Sequence, residues 1–194
     1  MKKVGAAMIN ITLPDGNKLQ FDAPVSGREV AERIGKRLAK DALAVKLDGV
    51  MRDLSTAISA DCQAVFVMPA DADGLRLMRH SASHVMAEAI LQLYPGTKLV
   101  YGPAIDEGFY YDIDSPSVIS ADDLPKIELA MAKIVKKDDK FVRRELTRAQ
   151  AMDEAKAQGN EYKVMNIERA EGDAISFYRQ GDGFEDLCAG PHVP

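Results

Sequence analysis

The sequence of 194 residues predicts an α+β protein with two domains, one at residues 1–69 and one at residues 70–194. Three observations support this prediction. The amino-terminal part alternates apolar and polar residues between turn signals, a polar break follows at Pro69–Gly74, and a long helical pattern begins beyond it. A hydrophobic content of 46% is sufficient for a core in each domain.

The first domain is predicted to contain five strands and one helix. Its elements are, in order, a β-hairpin at Ile9–Asp22, a short helix opened by a capping box at Ser26 and Glu29, a second hairpin at Ala44–Arg52, and a strand at Gln63–Met68 that we expect to be buried on both faces. This order of strands around one helix is typical of a β-grasp fold.

The second domain opens with a helix predicted from Leu75 to Tyr94, which Pro95 and Gly96 end. Its apolar stripe, at the 3-and-4 spacing of a core-facing side, comprises Leu75, Met78, Ala82, Val85, Ala89 and Leu93. At about 100° per residue, His80 and His84 lie almost opposite this stripe. We therefore expect that side of the helix to form the wall of a pocket.

The rest of the second domain is predicted to be strands and helices that form a mostly antiparallel sheet. The predicted elements are strands at Lys98–Tyr101 and Phe109–Ile113, a helix capped at Ser120–Asp123, a strand at Phe141–Leu146, a helix capped by Thr147, and a hairpin at Ala174–Cys188. The segment Tyr162–Ile167 is ambiguous between helix and strand.

The histidines and cysteines are concentrated in two motifs of equal spacing. His80 and His84 are one helical turn apart, and Cys188 and His192 repeat that spacing; the whole sequence has only three histidines and two cysteines. Such a set could bind Zn²⁺ tetrahedrally, or Cys188 could act as a nucleophile beside a histidine. Isolated histidines are more often core or surface residues, but two matched pairs favour a functional site.

Further polar residues extend the possible site. Asp186 lies two residues before Cys188, on the same face of a regular strand. Lys163 occurs in the ambiguous segment, and Tyr110 and Tyr111 follow a Gly-Pro loop. Together with the histidines, these groups could bind a small polar substrate and assist the attack of water on an ester.

The charge and the cysteine content limit the partners and the compartment. The net charge is −5, with 10 basic and 8 acidic residues in positions 1–70 and 15 and 22 in the remainder, so the second half carries the acidity. That balance is unfavourable for a general nucleic-acid binder. Two distant cysteines and the absence of a long apolar segment predict a soluble, cytoplasmic protein without a membrane partner.

Several segments, in order, resemble the amino-terminal half of bacterial threonyl-tRNA synthetases. They are Arg79–His84, Gly102–Asp112, Glu161–Val164 and Cys188–Pro194, and the opening Ile9–Gly16 is similar to the start of the TGS module of that family, itself a β-grasp domain. The class II synthetic motifs and the anticodon-binding domain are not found in this sequence. We therefore expect an excised fragment, with residues 1–7 as an extension.

The resemblance implies that the second domain edits, hydrolysing serine that has been wrongly esterified to threonine tRNA. A synthetic site that accommodates threonine cannot exclude the smaller serine, because one methylene is worth only about 1–3 kcal/mol of discrimination. The implied partners are that tRNA and the remainder of the synthetase, expected to be a homodimer. ATP and zinc would belong to the absent synthetic domain.

The resemblance also implies roles for individual residues. His80 and Lys163 would position and polarise the water and the ester carbonyl. Asp186 would receive the ammonium group of the substrate, and Tyr111 would contact the terminal nucleotide. The remaining site residues, implied to shape or line the pocket, are His84, Cys188, His192 and Gly102.

The resemblance predicts that editing needs no metal, because threonine-type editing domains are thought to work without one. The similar alanine-type domains hold zinc in the same motif, so the alternative is a zinc site formed by His80, His84, Cys188 and His192. Two further alternatives remain open. One is a non-catalytic tRNA-binding or regulatory module, since TGS domains also occur in GTPases and alarmone enzymes; the other is a structural zinc module.

Overall fold

The computed structural model describes residues 8–194; the predicted extension, residues 1–7, lies outside this range. The chain is α+β, as predicted. It divides into two compact units. The first comprises the described residues up to Met78 together with Pro191–Pro194, and the second comprises Arg79–Gly190.

The first unit is built on one five-stranded sheet. Its elements are β1 (Ile9–Thr12), β2 (Lys18–Phe21), β3 (Val25–Ser26), α1 (Gly27–Ile34), α2 (Lys36–Asp41), β4 (Ala44–Leu47), β5 (Val50–Arg52), β6 (Ala57–Ile58) and β7 (Cys62–Val67). The sheet order is β2-β1-β7-β4-β5, in which only the β1–β7 pair is parallel, and β3 pairs separately with β6. The predicted β-grasp arrangement is confirmed, but the second helix and the β3–β6 pair were not predicted.

Local sequence signals place α1 against the core of the first unit. The predicted capping box is confirmed, since Ser26 accepts from the backbone N–H of Glu29 and the Glu29 carboxylate accepts from the backbone N–H of Ser26. Val30 then packs with Ile11 in a cluster of buried apolar residues. The expectation that the last strand is buried on both faces is wrong for the first part of β7, where Gln63 and Val65 are exposed; Phe66 and Val67, at its end, are both covered.

Helix α3 spans Ala72–Leu93 and links the two units in sequence. Its predicted apolar stripe is partly wrong, since Leu75 is 44% exposed whereas Leu77 is only 4% exposed. Most of the residues from position 81 to position 90 are buried. One side of this stretch packs on α4, and another side packs on β8 and β14, so tertiary contacts surround the helix rather than covering one stripe.

The second unit surrounds this helix with short helices and antiparallel strands. They are β8 (Lys98–Tyr101), β9 (Ala104–Ile105), β10 (Gly108–Phe109), β11 (Asp112–Asp114), α4 (Leu124–Lys137), β12 (Phe141–Thr147), α5 (Arg148–Ala157), α6 (Glu161–Arg169), β13 (Ala174–Gln180) and β14 (Phe184–Leu187). The main sheet has the order β12-β13-β14, and β8 with β11 and β9 with β10 form two-stranded pairs. All of these pairings are antiparallel, as predicted.

The ambiguous segment is helical. Asn160 caps α6, and Ile167 packs this helix on Ala151 and Ala155 of α5. The capping box predicted at Thr147 is confirmed at the start of α5. Among the described residues, none of the helices has the length and hydropathy needed to cross a membrane.

Candidate active site

The two histidines of α3 lie one above the other but in different surroundings. The ring centroids of His80 and His84 are 5.3 Å apart in an edge-to-face arrangement. His80 is partly exposed, whereas His84 is 3% exposed, with the rings of Phe141 and Phe184 centred 6.1 and 5.6 Å away. The helical spacing thus produces one accessible imidazole and one enclosed imidazole.

The enclosure of His84 changes its protonation. Burial lowers the pKa of His84 to about 4; the Asp186 carboxylate acts in the opposite direction, and the charges of His80 and Lys163 add to the lowering. The ring is therefore neutral at pH 7. A neutral imidazole can accept a hydrogen bond or bind a metal through one ring nitrogen.

Cys188 lies just beyond β14 and is held by the neighbouring strand. Its backbone N–H donates to the carbonyl of Ser176 at 3.1 Å, and the Ser176 hydroxyl donates to the Cys188 carbonyl at 2.6 Å. Its Sγ lies 3.2 Å from Nε2 of His80 and accepts from the backbone N–H of Gly190 at 3.2 Å. Residues 108 positions apart in sequence therefore form one thiol–imidazole pair.

This pair and His84 have a geometry that fits a metal ion. The ligand atoms of His80, His84 and Cys188 lie within 4.8 Å of one another. A tetrahedral zinc ion would hold a nitrogen and a sulfur ligand about 3.5 Å apart. The observed contact of 3.2 Å is compatible with that arrangement and with a direct hydrogen bond.

A second polar cluster is centred on Asp186, in strand β14, which leads to Cys188. Lys163 Nζ is 3.0 Å from Oδ1 of Asp186, and the two side chains are only 12% and 7% exposed. The Tyr111 hydroxyl donates to Oδ2, and the backbone N–H of Leu187 donates to Oδ1 at 2.7 Å. Burial, together with the Asp186 charge, raises the pKa of Tyr111, so its hydroxyl remains a donor.

The Asp186 carboxylate retains capacity for another donor. Lys163 and Leu187 use Oδ1, while Tyr111 uses Oδ2. A carboxylate offers about four lone-pair sites. Among the contacts made by the described residues, one acceptor position on Oδ2 therefore remains.

Helix α6 presents Lys163 from a well-tethered first turn. The Asn160 side chain accepts from the backbone N–H of Lys163 at 3.2 Å. Tyr162 donates to Asp114 at 3.0 Å, and Asn166 donates to the Val100 carbonyl at 2.8 Å. These bonds attach the helix to β8 and β11, on either side of the loop that leads to Tyr111.

Gly102 provides the surface on which Tyr111 rests. A Cβ atom at Gly102 would lie 2.3 Å from ring carbons of Tyr111, so no larger residue fits without moving that ring. The Ser83 hydroxyl donates to the His80 carbonyl at 2.7 Å and lies 3.2 Å from the Gly102 carbonyl. The contacts of Gly102 therefore support Tyr111 and connect the loop with the histidine helix.

The structure brings seven of the predicted site residues into the second unit and groups His192 with the first. The backbone N–H of His192 donates to Oδ1 of Asp53 at 2.8 Å, and the residue is 1% exposed. Sequence reasoning missed the supports of the site, which are Ser83, Phe141, Asn160, Asn166, Ser176, Phe184 and Gly190. Only Gly190 carried a signal in the sequence, as a glycine within the Cys-Ala-Gly-Pro-His run. The structure explains it, because its φ of +69° favours glycine.

The fold and the site together define a protein with a TGS-type β-grasp domain followed by an α+β unit that encloses a histidine–cysteine–lysine–aspartate cluster. Residues 9–67 match the TGS domain family. Comparison with curated proteins then identifies the chain as homologous to the amino-terminal region of threonine–tRNA ligases. The resemblance seen in the motifs is thereby confirmed.

The similarity extends over nearly the whole chain. The threonine–tRNA ligase of Desulfatibacillum aliphaticivorans is 54% identical over 187 residues, which are 96% of this chain and 29% of that protein. Those of Paramagnetospirillum magneticum and Thiobacillus denitrificans are each 47% identical over 189 residues, 96% of this chain and 30% of each protein. The chain thus spans less than a third of the length of these relatives.

Proposed function

We propose that this chain performs post-transfer editing as part of a threonyl-tRNA synthetase, hydrolysing the ester that joins serine to threonine tRNA. The observation that carries the proposal is the enclosed Lys163–Asp186–Tyr111 cluster on the strand that leads to the His80–Cys188 pair. Recognition groups for an ammonium ion and groups able to polarise an ester are thereby held in one unit.

Asp186 is proposed to bind the α-ammonium group of the aminoacyl ester. Its remaining acceptor position on Oδ2 would receive one N–H, a charge-assisted hydrogen bond in a site with little solvent. Tyr111, whose ring packs over Gly102, would fix the carboxylate and contact the terminal nucleotide. Gly102 would line the same pocket and leave room for that ring.

His80 and Lys163 are proposed to act on the reacting atoms. Nε2 of His80, now 3.2 Å from Cys188 Sγ, would hold the attacking water, and the Lys163 ammonium would polarise the ester carbonyl. His84, Cys188 and His192 would shape the pocket and orient these groups. Exclusion of threonine then requires only that its extra methyl group has no room.

A deacylation assay tests the proposal. Full-chain protein should release serine from seryl-tRNA specific for threonine and leave threonyl-tRNA intact. His80→Ala and Lys163→Ala should reduce the rate by roughly 100-fold, within the usual range for removing an acid–base group. Lys46→Ala, which removes a partly exposed ion pair with Asp73, is the matched control and should retain the rate. A folded protein without serine release would contradict the proposal.

A zinc-dependent editing domain of the alanine type is the second candidate, favoured by the converging ligand atoms of His80, His84 and Cys188. His192 would be the fourth ligand, and the ion would supply Lewis-acid activation of water. Metal analysis of protein purified without chelator or added zinc separates the candidates. One equivalent of zinc, lost together with activity on chelation, would favour this second function over the metal-free one.

A non-catalytic tRNA-binding module is the third candidate, favoured by the TGS match at residues 9–67. Its basic surfaces would be Arg33-Lys36-Arg37 and Lys133-Lys136-Lys137, and binding to phosphates would weaken as salt increases. Salt-dependent tRNA affinity without hydrolysis of either ester would support this candidate. Such a result would also remove the proposed roles of His80 and Lys163.

A further inference from the structure

The last residues of the chain are held by the first unit. The backbone N–H of His192 donates to Oδ1 of Asp53 at 2.8 Å. The next residue, Val193, packs against a cluster of the same unit that contains Ala44, Val67 and Leu77. Thus the histidine that completes the Cys188–His192 motif is anchored by side chains of the first unit.

Asp53 extends from a well-defined turn. Its carbonyl accepts from the backbone N–H of Thr56 at 3.0 Å. The next residue, Leu54, is buried in the core of the first unit, and its carbonyl accepts from the backbone N–H of Arg28 at 2.9 Å. The carboxylate is therefore presented from backbone that hydrogen bonds of the first unit hold in place.

Cys188, by contrast, is held within the second unit. Ser176 bonds both the N–H and the carbonyl of Cys188. Gly190 adopts a φ of +69°, and a Cβ there would lie 2.0 Å from the hydroxyl oxygen of Tyr178. The two ends of the Cys188–His192 motif therefore have separate supports, and its spacing alone does not determine where the imidazole of His192 lies.

We propose that Asp53 is a positioning residue for His192, because its carboxylate holds the backbone from which this imidazole extends. The inference rests on the proposed function. A hydrogen bond from a backbone N–H to an ionised carboxylate is among the stronger kinds. Its loss would weaken the hold on the backbone at His192 while leaving Asp186, Lys163 and the His80–Cys188 pair in place.

Kinetics of serine release test the role of Asp53. Asp53→Ala should lower kcat roughly ten-fold or more with little change in KM, because the affected group orients the reaction rather than binding substrate. Asp53→Asn keeps an oxygen acceptor for the His192 N–H and should restore most of the rate.

Asp61→Ala is the matched control. It removes a bond of the same kind and length in the same unit, from the backbone N–H of Asn10 to Asp61 Oδ1 at 2.8 Å, and it should retain the wild-type kcat. An equal loss in Asp61→Ala would assign the effect to general destabilisation and overturn the proposal. A wild-type kcat in Asp53→Ala would overturn it as well.

Amide hydrogen exchange at His192, measured by NMR, provides a readout that does not depend on catalysis. Protection of this amide should fall at least ten-fold in Asp53→Ala and persist in Asp53→Asn and Asp61→Ala. Unchanged protection in Asp53→Ala would refute the anchor. If the wild-type chain releases no serine, the proposed function fails, and this exchange pattern still decides whether Asp53 holds His192.

Discussion

The two units bury different kinds of side chain. The core of the first unit consists of apolar residues such as Ile11, Val30 and Val45. Among residues 8–194, the buried polar and charged residues lie in the second unit, apart from His192. They are Ser81, Ser83, His84, Glu88, Thr97, Gln180 and Asp186.

This difference supports the proposal that the second unit carries the reaction. Burying apolar area stabilises a fold without requiring particular partners, whereas burying a polar group costs stability unless it is hydrogen-bonded or paired. Asp186 meets that requirement through Lys163 and Tyr111, and Glu88 meets it through Gln180 at 2.9 Å. A unit that accepts such costs near aligned histidines is more readily explained by chemistry than by packing.

The largest contrast is expected between two lysines. Lys163→Met should leave Asp186 enclosed without its cation and cost about 3–5 kcal/mol of unfolding free energy. Lys46→Met breaks an ion pair of 2.5 Å whose side chains are far more exposed, and should cost at most about 1 kcal/mol. Urea denaturation at pH 7 measures both, and equal losses would remove the distinction between the units.

A smaller effect is expected at Gly102. Gly102→Ala places a methyl group against the Tyr111 ring and should cost about 1–3 kcal/mol while displacing the hydroxyl from Asp186. The control is Gly108→Ala in the nearby strand β10, where the added Cβ meets nothing within 4 Å. Thermal unfolding together with serine deacylation should separate the two variants; matching behaviour would show that the Tyr111 contact is dispensable.

Within the apolar core of the first unit, Ile11→Val removes one buried methylene. It should lower the unfolding free energy by about 0.5–1.5 kcal/mol and leave deacylation unchanged, since Ile11 lies in the apolar cluster of the first unit. Denaturation curves and kcat for serine release provide the check. A drop in kcat without a comparable loss of stability would mean that this core is coupled to catalysis.

The smallest effect at pH 7 is expected for Glu88→Gln, and its signature is a change in pH dependence. Burial raises the pKa of Glu88, partly offset by Lys137. The folded state therefore binds more protons than the unfolded state between pH 4.5 and the raised pKa, and stability falls as pH rises through that window.

Glu88→Gln should remove this slope, because the amide does not titrate. Relative to the wild type, the variant should be more stable at pH 7 than at pH 4, and its amide oxygen can still accept from Gln180. Chemical denaturation at a series of pH values measures the difference. A wild-type slope in the variant would show that Glu88 does not cause it.

Several features could be predicted because they depend on neighbours in sequence. The capping boxes at Ser26 and Thr147 are both present, since a capping hydrogen bond joins residues three apart. The spacing of His80 and His84 likewise placed both rings on one side of α3. These signals identified most helices, the hairpins and the histidines of the candidate site.

Other features depended on contacts that no local pattern records. Leu75 fits the apolar period of α3 but is 44% exposed, because that turn lies outside the part of the helix that is packed on all sides. The segment of α6 is ambiguous in the sequence. It is helical in the structure because Asn160 caps it and Ile167 packs on α5. In both cases packing by distant residues decided the outcome.

The sequence by itself therefore determined the α+β class, the order of the elements and the residue types of the site, since turns, caps and helical spacing act over a few residues. Only the tertiary structure decided which groups meet. Tyr111 reaches Asp186 across 75 positions, His80 reaches Cys188 across 108, and Asp53 holds His192 across 139. Those pairings arise when whole strands and helices pack, and such long-range packing is not encoded in any single motif.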